Sequence, residues 1–120
     1  MKTIIVDTDF IINALKSKIE LEYSLKELFP YKVEITLLDK TLEELQNKPY
    51  GKLAKRLLSG FRIIKTSKEK TGDELLLELV QKNKNIIVAT QDKKLKEKLK
   101  KGKIPIITIR QKKYLIVDWA

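Results

Sequence analysis

Two continuous runs of β-branched and aliphatic residues, Thr3-Ile4-Ile5-Val6 and Ile86-Ile87-Val88-Ala89, show no polar alternation, and each stops abruptly in polar sequence, at Asp7 and at Thr90-Gln91-Asp92. A strand with one wet face alternates apolar and polar residues, whereas a strand covered on both faces does not. Both runs therefore read as central strands of a parallel sheet. Such a sheet obliges the chain to supply helices for each of its faces.

The intervening sequence supplies them. Asp7-Thr8-Asp9 offers capping oxygens ahead of Phe10, Ile11, Ala14 and Leu15 at helical spacing. A second helix is expected over 21–29, stopped by Pro30, and then a strand over 32–38 in which Val33, Ile35 and Leu37 alternate with polar neighbours. Thr41 to Leu45 opens a third helix that Tyr50-Gly51 breaks, and 52–58 forms a fourth, ended by Ser59-Gly60. A short strand over 61–65 and a polar loop over 67–71 lead to a helix from Gly72 to about Asn83, with Leu75, Leu76, Leu79 and Val80 on one face. A basic helix begins at Asp92, carries Leu95 and Leu99 inward and ends at Gly102. A strand over 104–109 and an edge strand over 114–117 complete the chain. This alternation predicts one domain over 1–120, a three-layer α/β/α sandwich around a mainly parallel sheet.

Composition narrows the chemistry. The 120 residues include no Cys and no His, which removes disulfides, thiolate zinc sites and imidazole bases, so any site must use carboxylates, hydroxyls, amides and lysines. No apolar run approaches the roughly 20 residues of a membrane span, and the run behind Met1-Lys2 is too short for a secretory signal; a cytoplasmic protein without membrane association is expected. The net charge of +10 is uneven. Residues 1–60 carry 10 Lys+Arg against 9 Asp+Glu, and residues 61–120 carry 16 against 7. A lysine run is often only a solvated helix face, and it also suits a polyanion partner such as nucleic acid.

Against that positive field stand four acids at strand ends or helix starts: Asp7, Glu44, Asp73 and Asp92. In a parallel sheet ligands bind beyond the carboxyl ends of the strands, where these positions should gather. Oxygen-only ligands suit Mg²⁺ or Mn²⁺, and the matching chemistry is hydrolysis of a phosphodiester by water activated on one or two metal ions. Asp73 and Asp92 have a simpler use as helix-capping or first-turn residues, and Glu44 could be an ordinary solvated helix residue. Asp7 is the most telling, because a carboxylate directly after a fully apolar strand is costly unless it is paired or metal-bound.

Ile5-Val6-Asp7-Thr8-Asp9-Phe10-Ile11, Leu42-Glu43-Glu44-Leu45, Thr71-Gly72-Asp73-Glu74-Leu75-Leu76 and Val88-Ala89-Thr90-Gln91-Asp92-Lys93-Lys94-Leu95, in this order, resemble the PIN-domain nucleases. Together with Ile104-Pro105-Ile106-Ile107 and Arg110-Gln111-Lys112-Lys113-Tyr114, they look most like an archaeal branch near the Fcf1/Utp24-like proteins of ribosomal-RNA processing. The resemblance implies a PIN-like fold, with Asp7, Glu44, Asp73 and Asp92 as catalytic metal-binding acids and Thr90 as a supporting hydroxyl. It implies cleavage of single-stranded RNA to a 5′-phosphate and a 3′-hydroxyl. Lys93, Lys94, Arg110, Lys112 and Lys113 are the expected phosphate contacts. Three positions depart from the family pattern. Asp9 stands where Asn or Ser is usual and is either a fifth site carboxylate or a cap. Gly72-Asp73-Glu74 replaces Ala-Asp-Asp, so Glu74 competes with Asp73, and Glu43 competes with Glu44.

Other readings exist. A VapC-type toxin would share the chemistry and be held by a small antitoxin, whereas an RNA-processing enzyme would meet a ribosome-assembly partner; homodimers are common in the family. Asp7-Thr8-Asp9 also resembles the nucleophile motif of haloacid-dehalogenase-type phosphatases, but Leu77 stands where the later acidic pair would continue. A PIN-like module without activity, holding RNA or a protein, is the remaining alternative.

Overall fold

The computed structural model describes residues 1–66 and 69–119; positions 67 and 68 of the expected polar loop lie outside the described residues. In chain order the elements are β1 (Lys2–Val6), α1 (Thr8–Lys16), α2 (Leu21–Glu27), β2 (Val33–Leu38), α3 (Asp39–Leu45), α4 (Gly51–Leu57), β3 (Arg62–Ile64), α5 (Gly72–Lys82), β4 (Ile86–Ala89), α6 (Lys93–Lys101), β5 (Ile106–Arg110) and β6 (Tyr114–Asp118). The strands form one sheet in the order β3-β2-β1-β4-β5-β6. All neighbours are parallel except β5 and β6, which pair antiparallel through a hairpin. This is the three-layer α/β/α arrangement read from the alternation of elements.

The absence of polar alternation in β1 and β4 has its counterpart in the packing. Ile4, Val6, Ile87 and Ala89 face a layer that includes Phe10, Ile11, Leu25, Leu45 and Ala54 from α1 to α4. Ile5, Ile86 and Val88 face Leu75, Leu76, Val80, Leu95 and Leu99 of α5 and α6. Burying each such aliphatic side chain contributes about 1.5–3 kcal/mol. β2 differs from expectation: Thr36 and Leu38 are as buried as Ile35 and Leu37, Leu38 belonging to the second core cluster with Leu75, Leu76 and Val80.

Several boundaries move for local reasons. α2 ends at Glu27, and Leu28 and Phe29 turn with bonds to Leu25 and Lys26, since Pro30 disfavours helical backbone just before it. β5 starts at Ile106, two residues later than expected: Pro105 has no N–H to enter the ladder, although its carbonyl accepts Val88 N–H. Gly102 caps α6, but the left-handed residue that closes the helix is Lys103, at φ 58°.

Tyr50-Gly51 does more than interrupt a helix. Tyr50 sits left-handed at φ 66° as the N-cap of α4, and a Cβ on Gly51 would fall 1.9 Å from the carbonyl oxygen of Leu45. The C-terminal end of α3 and the start of α4 therefore touch backbone to backbone. Gly51→Ala should lower the unfolding free energy by about 2–4 kcal/mol in urea titrations, because a backbone must move. Tyr50→Gly should change it by less than about 1 kcal/mol, relief of the left-handed backbone being offset by glycine's greater chain entropy.

Candidate active site at the carboxyl edge of the sheet

β1 and β4 lie side by side with Val6 opposite Ala89, yet the chain leaves them in opposite directions, to α1 on one face and α6 on the other. This divergence opens a crevice at their carboxyl ends, and the residues that follow both strands meet there. Asp7 N–H donates to Ala89 O (2.9 Å), continuing the ladder one step beyond the strands. The fully buried Thr90 hydroxyl donates to Asp7 Oδ2 (3.0 Å) and accepts from Asp92 N–H (3.1 Å). Thr8 N–H donates to Asp7 Oδ1 (2.8 Å), so Asp7 is also the N-cap of α1. Asp92 caps α6, its Oδ1 accepting Lys94 N–H (2.9 Å) and Leu95 N–H (3.2 Å) while Oδ2 has no protein donor among the described residues.

Glu44 and Asp73 approach from α3 and α5. Gly72, at the start of α5, faces Glu44 so closely that a Cβ there would lie 3.4 Å from Glu44 Oε1. Three of the four acids hold their protons more tightly than usual. Burial pushes Asp7 up to about 6, with Asp73 and Asp9 adding to the rise. Burial first, then Asp9 and Asp73, raises Glu44; burial first, then Asp92 and Asp9, raises Asp73. The Thr8 hydroxyl is near enough to Glu44 to oppose its shift, although it forms no bond of strict geometry. Asp9 is exposed in the first turn of α1, 3.9 Å from Lys48 Nζ, and its charge is felt by Asp7, Glu44 and Asp73. Glu43 and Glu74 are exposed on α3 and α5.

Among the described residues, no group of three or more acidic side chains is arranged to hold a metal ion as it stands. The donor set nevertheless fits a hard cation. It consists of carboxylate and hydroxyl oxygens, its members repel one another's charge, and none of Asp7, Glu44, Asp73 and Asp92 is in an ion pair among the described residues. A bound Mg²⁺ or Mn²⁺ would relieve that repulsion.

Residues 4–112 match the family model described as a PIN-like domain. The chain belongs to that family. It is 36% identical to a protein named Ribonuclease VapC4 from Methanocaldococcus jannaschii, over 95% of each chain. Its fold is similar to the solved structure of the PIN domain endonuclease Utp24, with a TM-score of 0.85 and 28% identity over 98% of this chain and 92% of the other.

Within this PIN-like domain the expected phosphate contacts stand on two elements. Lys93 and Lys94 are exposed in the first turn of α6, beside Asp92. Arg110, Lys112 and Lys113 are exposed at the β5–β6 hairpin, beyond the same sheet edge, where Gln91 pins β5 by exchanging two bonds with Ile109 (2.8 and 3.3 Å). Sequence reasoning missed Asp39. It follows β2 as Asp7 follows β1, but its carboxylate accepts from Lys40 N–H, Thr66 N–H and the Thr66 hydroxyl, and the Thr66 hydroxyl above all holds its pKa down. Lys40 Nζ reaches Lys70 O (3.0 Å), so this pair fastens the segment that delivers α5 and Asp73. The signal was present in the sequence, a second aspartate directly behind a strand.

The buried Asp7 charge opposes folding near neutral pH. Its folded pKa of about 6 exceeds the unfolded value of 3.8, so the stability it contributes is fully present below about pH 4 and is lost as pH rises through 6. That gap corresponds to about 3 kcal/mol. Asp7→Asn should accordingly be more stable than the parent at pH 7 in EDTA, by up to about 3 kcal/mol in urea titrations, and the advantage should shrink toward pH 4. A variant less stable than the parent at pH 7 would mean that the Thr8 and Thr90 bonds outweigh the burial of charge.

Proposed function

We propose that this chain is a metal-dependent endoribonuclease of the cytoplasm that cuts single-stranded RNA by attack of an activated water. The observation that carries this reading is the largely buried Asp7, hydrogen-bonded but in no ion pair among the described residues, which feels the charge of further carboxylates at the β1–β4 crevice of a chain whose net charge is +10. A group of carboxylates that Lys48 and Lys98 influence only from a distance is suited, in so basic a chain, to a divalent ion that arrives with a polyanionic substrate.

Asp7, Glu44, Asp73 and Asp92 would hold Mg²⁺ or Mn²⁺, which when bound supplies an acidified water and neutralises charge on the phosphate. Thr90 fixes the Asp7 carboxylate and the turn that presents Asp92. Lys93 and Lys94 on one side, and Arg110, Lys112 and Lys113 on the other, would position phosphates of the strand across the crevice. The products would be a 5′-phosphate and a 3′-hydroxyl. The relative named as Ribonuclease VapC4 favours, for the biological setting, a toxin held by a small antitoxin; the likeness to the Utp24 endonuclease favours RNA processing.

Asp92→Asn is the cleanest test, because Asn is as good a cap as Asp and only the charge is lost. With Mn²⁺ the parent should cut a 5′-labelled single-stranded RNA, EDTA should stop it, and Asp92→Asn should lower the rate by about 100-fold or more with RNA binding kept within about threefold. Thr90→Val should cost about 10–100-fold. Cleavage by Asp92→Asn at the parental rate would sink the proposal, and RNA binding without cleavage by either protein would favour an inactive module.

A further inference from the structure

Beyond the crevice, the sequence places Lys94, Lys98 and Lys101 at spacings of four and three, which align them along one side of α6. The helix starts at the carboxyl edge of the sheet and runs about 13 Å away from it. Lys96 and Lys100 turn to the other side, where Lys100 meets Asp118 at 3.1 Å and Arg110 acts on Lys96. The Lys98 side opens instead on a groove toward α5. Its floor is apolar, with Leu77, Val80 and Ile104, and its rim carries Lys84, Lys98, Lys101 and Lys103 without a single carboxylate.

We propose that this α5–α6 groove is a binding track for the single-stranded RNA that flanks the cleavage point, an inference that rests on the ribonuclease reading above. Three observations carry it. The groove neighbours the crevice, since Lys98 stands on its rim and the same ammonium acts through space on Asp73. The four rim lysines are exposed and none is in an ion pair among the described residues, which leaves a net positive rim for a polyanion although Glu97 stands on the same side of α6. An acidic protein would satisfy that charge as well, but the crevice at the head of the track calls for phosphodiesters. A floor of aliphatic side chains under ammonium groups suits ribose and bases below phosphates, without reading sequence.

The third observation concerns Lys103. α6 ends in a Schellman turn, with Lys103 N–H bonding to Lys100 O (3.0 Å) and Ile104 N–H to Leu99 O (3.1 Å). The left-handed residue of that turn is ordinarily Gly, yet here it is Lys103 at φ 58°. Lys18 closes α1 in the same conformation, so the strain alone singles out nothing. At Lys103 it coincides with a rim of like charges that also repel one another, and both features disfavour folding. A side chain retained against folding is accounted for by the phosphate it would hold.

Binding is measured in EDTA, so that nothing is cut, with RNAs of about 5 and about 16 nucleotides that bracket ordinary single-strand site sizes. Lys84→Gln/Lys101→Gln/Lys103→Gln should weaken the long RNA by about tenfold or more at low salt and lower its salt slope by about 2, at roughly 0.7 per lost contact. Affinity for the short RNA and its Mn²⁺-dependent cleavage should stay at the parental level. Lys103→Gly should keep or raise Tm while weakening only the long RNA, which separates loss of contact from loss of fold. An unchanged slope, an equal loss for both RNAs, or displacement of the long RNA by poly-glutamate of equal charge would overturn the track. If the parent cuts neither RNA in Mn²⁺ but the slopes differ as stated, the ribonuclease reading fails and the groove remains an RNA site.

Discussion

The parallel pairing of β1 with β4 is the constraint on which the remaining structure depends. Both strands are buried on both faces, so the helices that follow them must go somewhere, and they go to opposite sides. Two consequences come together. The core closes on each face of the sheet, and the chain parts at the carboxyl edge, where Asp7 and Thr90 are left in contact across strands that are 83 residues apart in sequence. The Thr90 hydroxyl is thus both a tie between central strands and the support of the acid in the crevice. A change that disturbed this bond would be felt in packing and in the site together.

Charge is distributed with the same division. The chain carries 26 Lys+Arg, yet among the described residues the only ion pair made by a carboxylate near the crevice is the long one between Asp9 and Lys48. The lysines stand on α6, at the hairpin and on the α5–α6 rim, close enough to act on a long anion and too far to neutralise Asp7. Leaving these acids uncompensated disfavours the folded state near neutral pH. Such a cost has a use when a cation and a phosphate are to be bound where protein cations are missing.

How much of this could be read from sequence depends on whether the determining contact is local. The strand runs of β1 and β4 were legible because burial on both faces forbids polar residues at any position. The start of β5 was not set by hydrophobicity, since Ile104 is as apolar as Ile106, but by the missing N–H of Pro105. β2 misled because its polar-looking Thr36 is fully buried, on the side where Leu38 packs in a cluster with residues much later in the chain. The order and approximate position of the four acids were legible. That Glu44 faces Gly72 and that Asp73 feels Asp92 are consequences of helix rotation that neighbouring acids in a sequence cannot resolve. Lys48 and Lys98 carried no local signal at all.

One opposition in the sequence reading dissolves in three dimensions. Asp92, and likewise Asp7, could be taken either as a helix cap or as a site residue; each caps its helix and also stands at the mouth of the crevice. A capping carboxylate must sit one residue before the helix, which after a parallel strand is the mouth of the crevice. Asp92 needs only Oδ1 for its two backbone donors, so Oδ2 stays available to a ligand. The capped helix ends also direct their positive dipoles at the same opening. The edge therefore presents carboxylate oxygens for a cation and helix N-termini for an anion within one crevice, and a metal ion carried in with a phosphate would meet both.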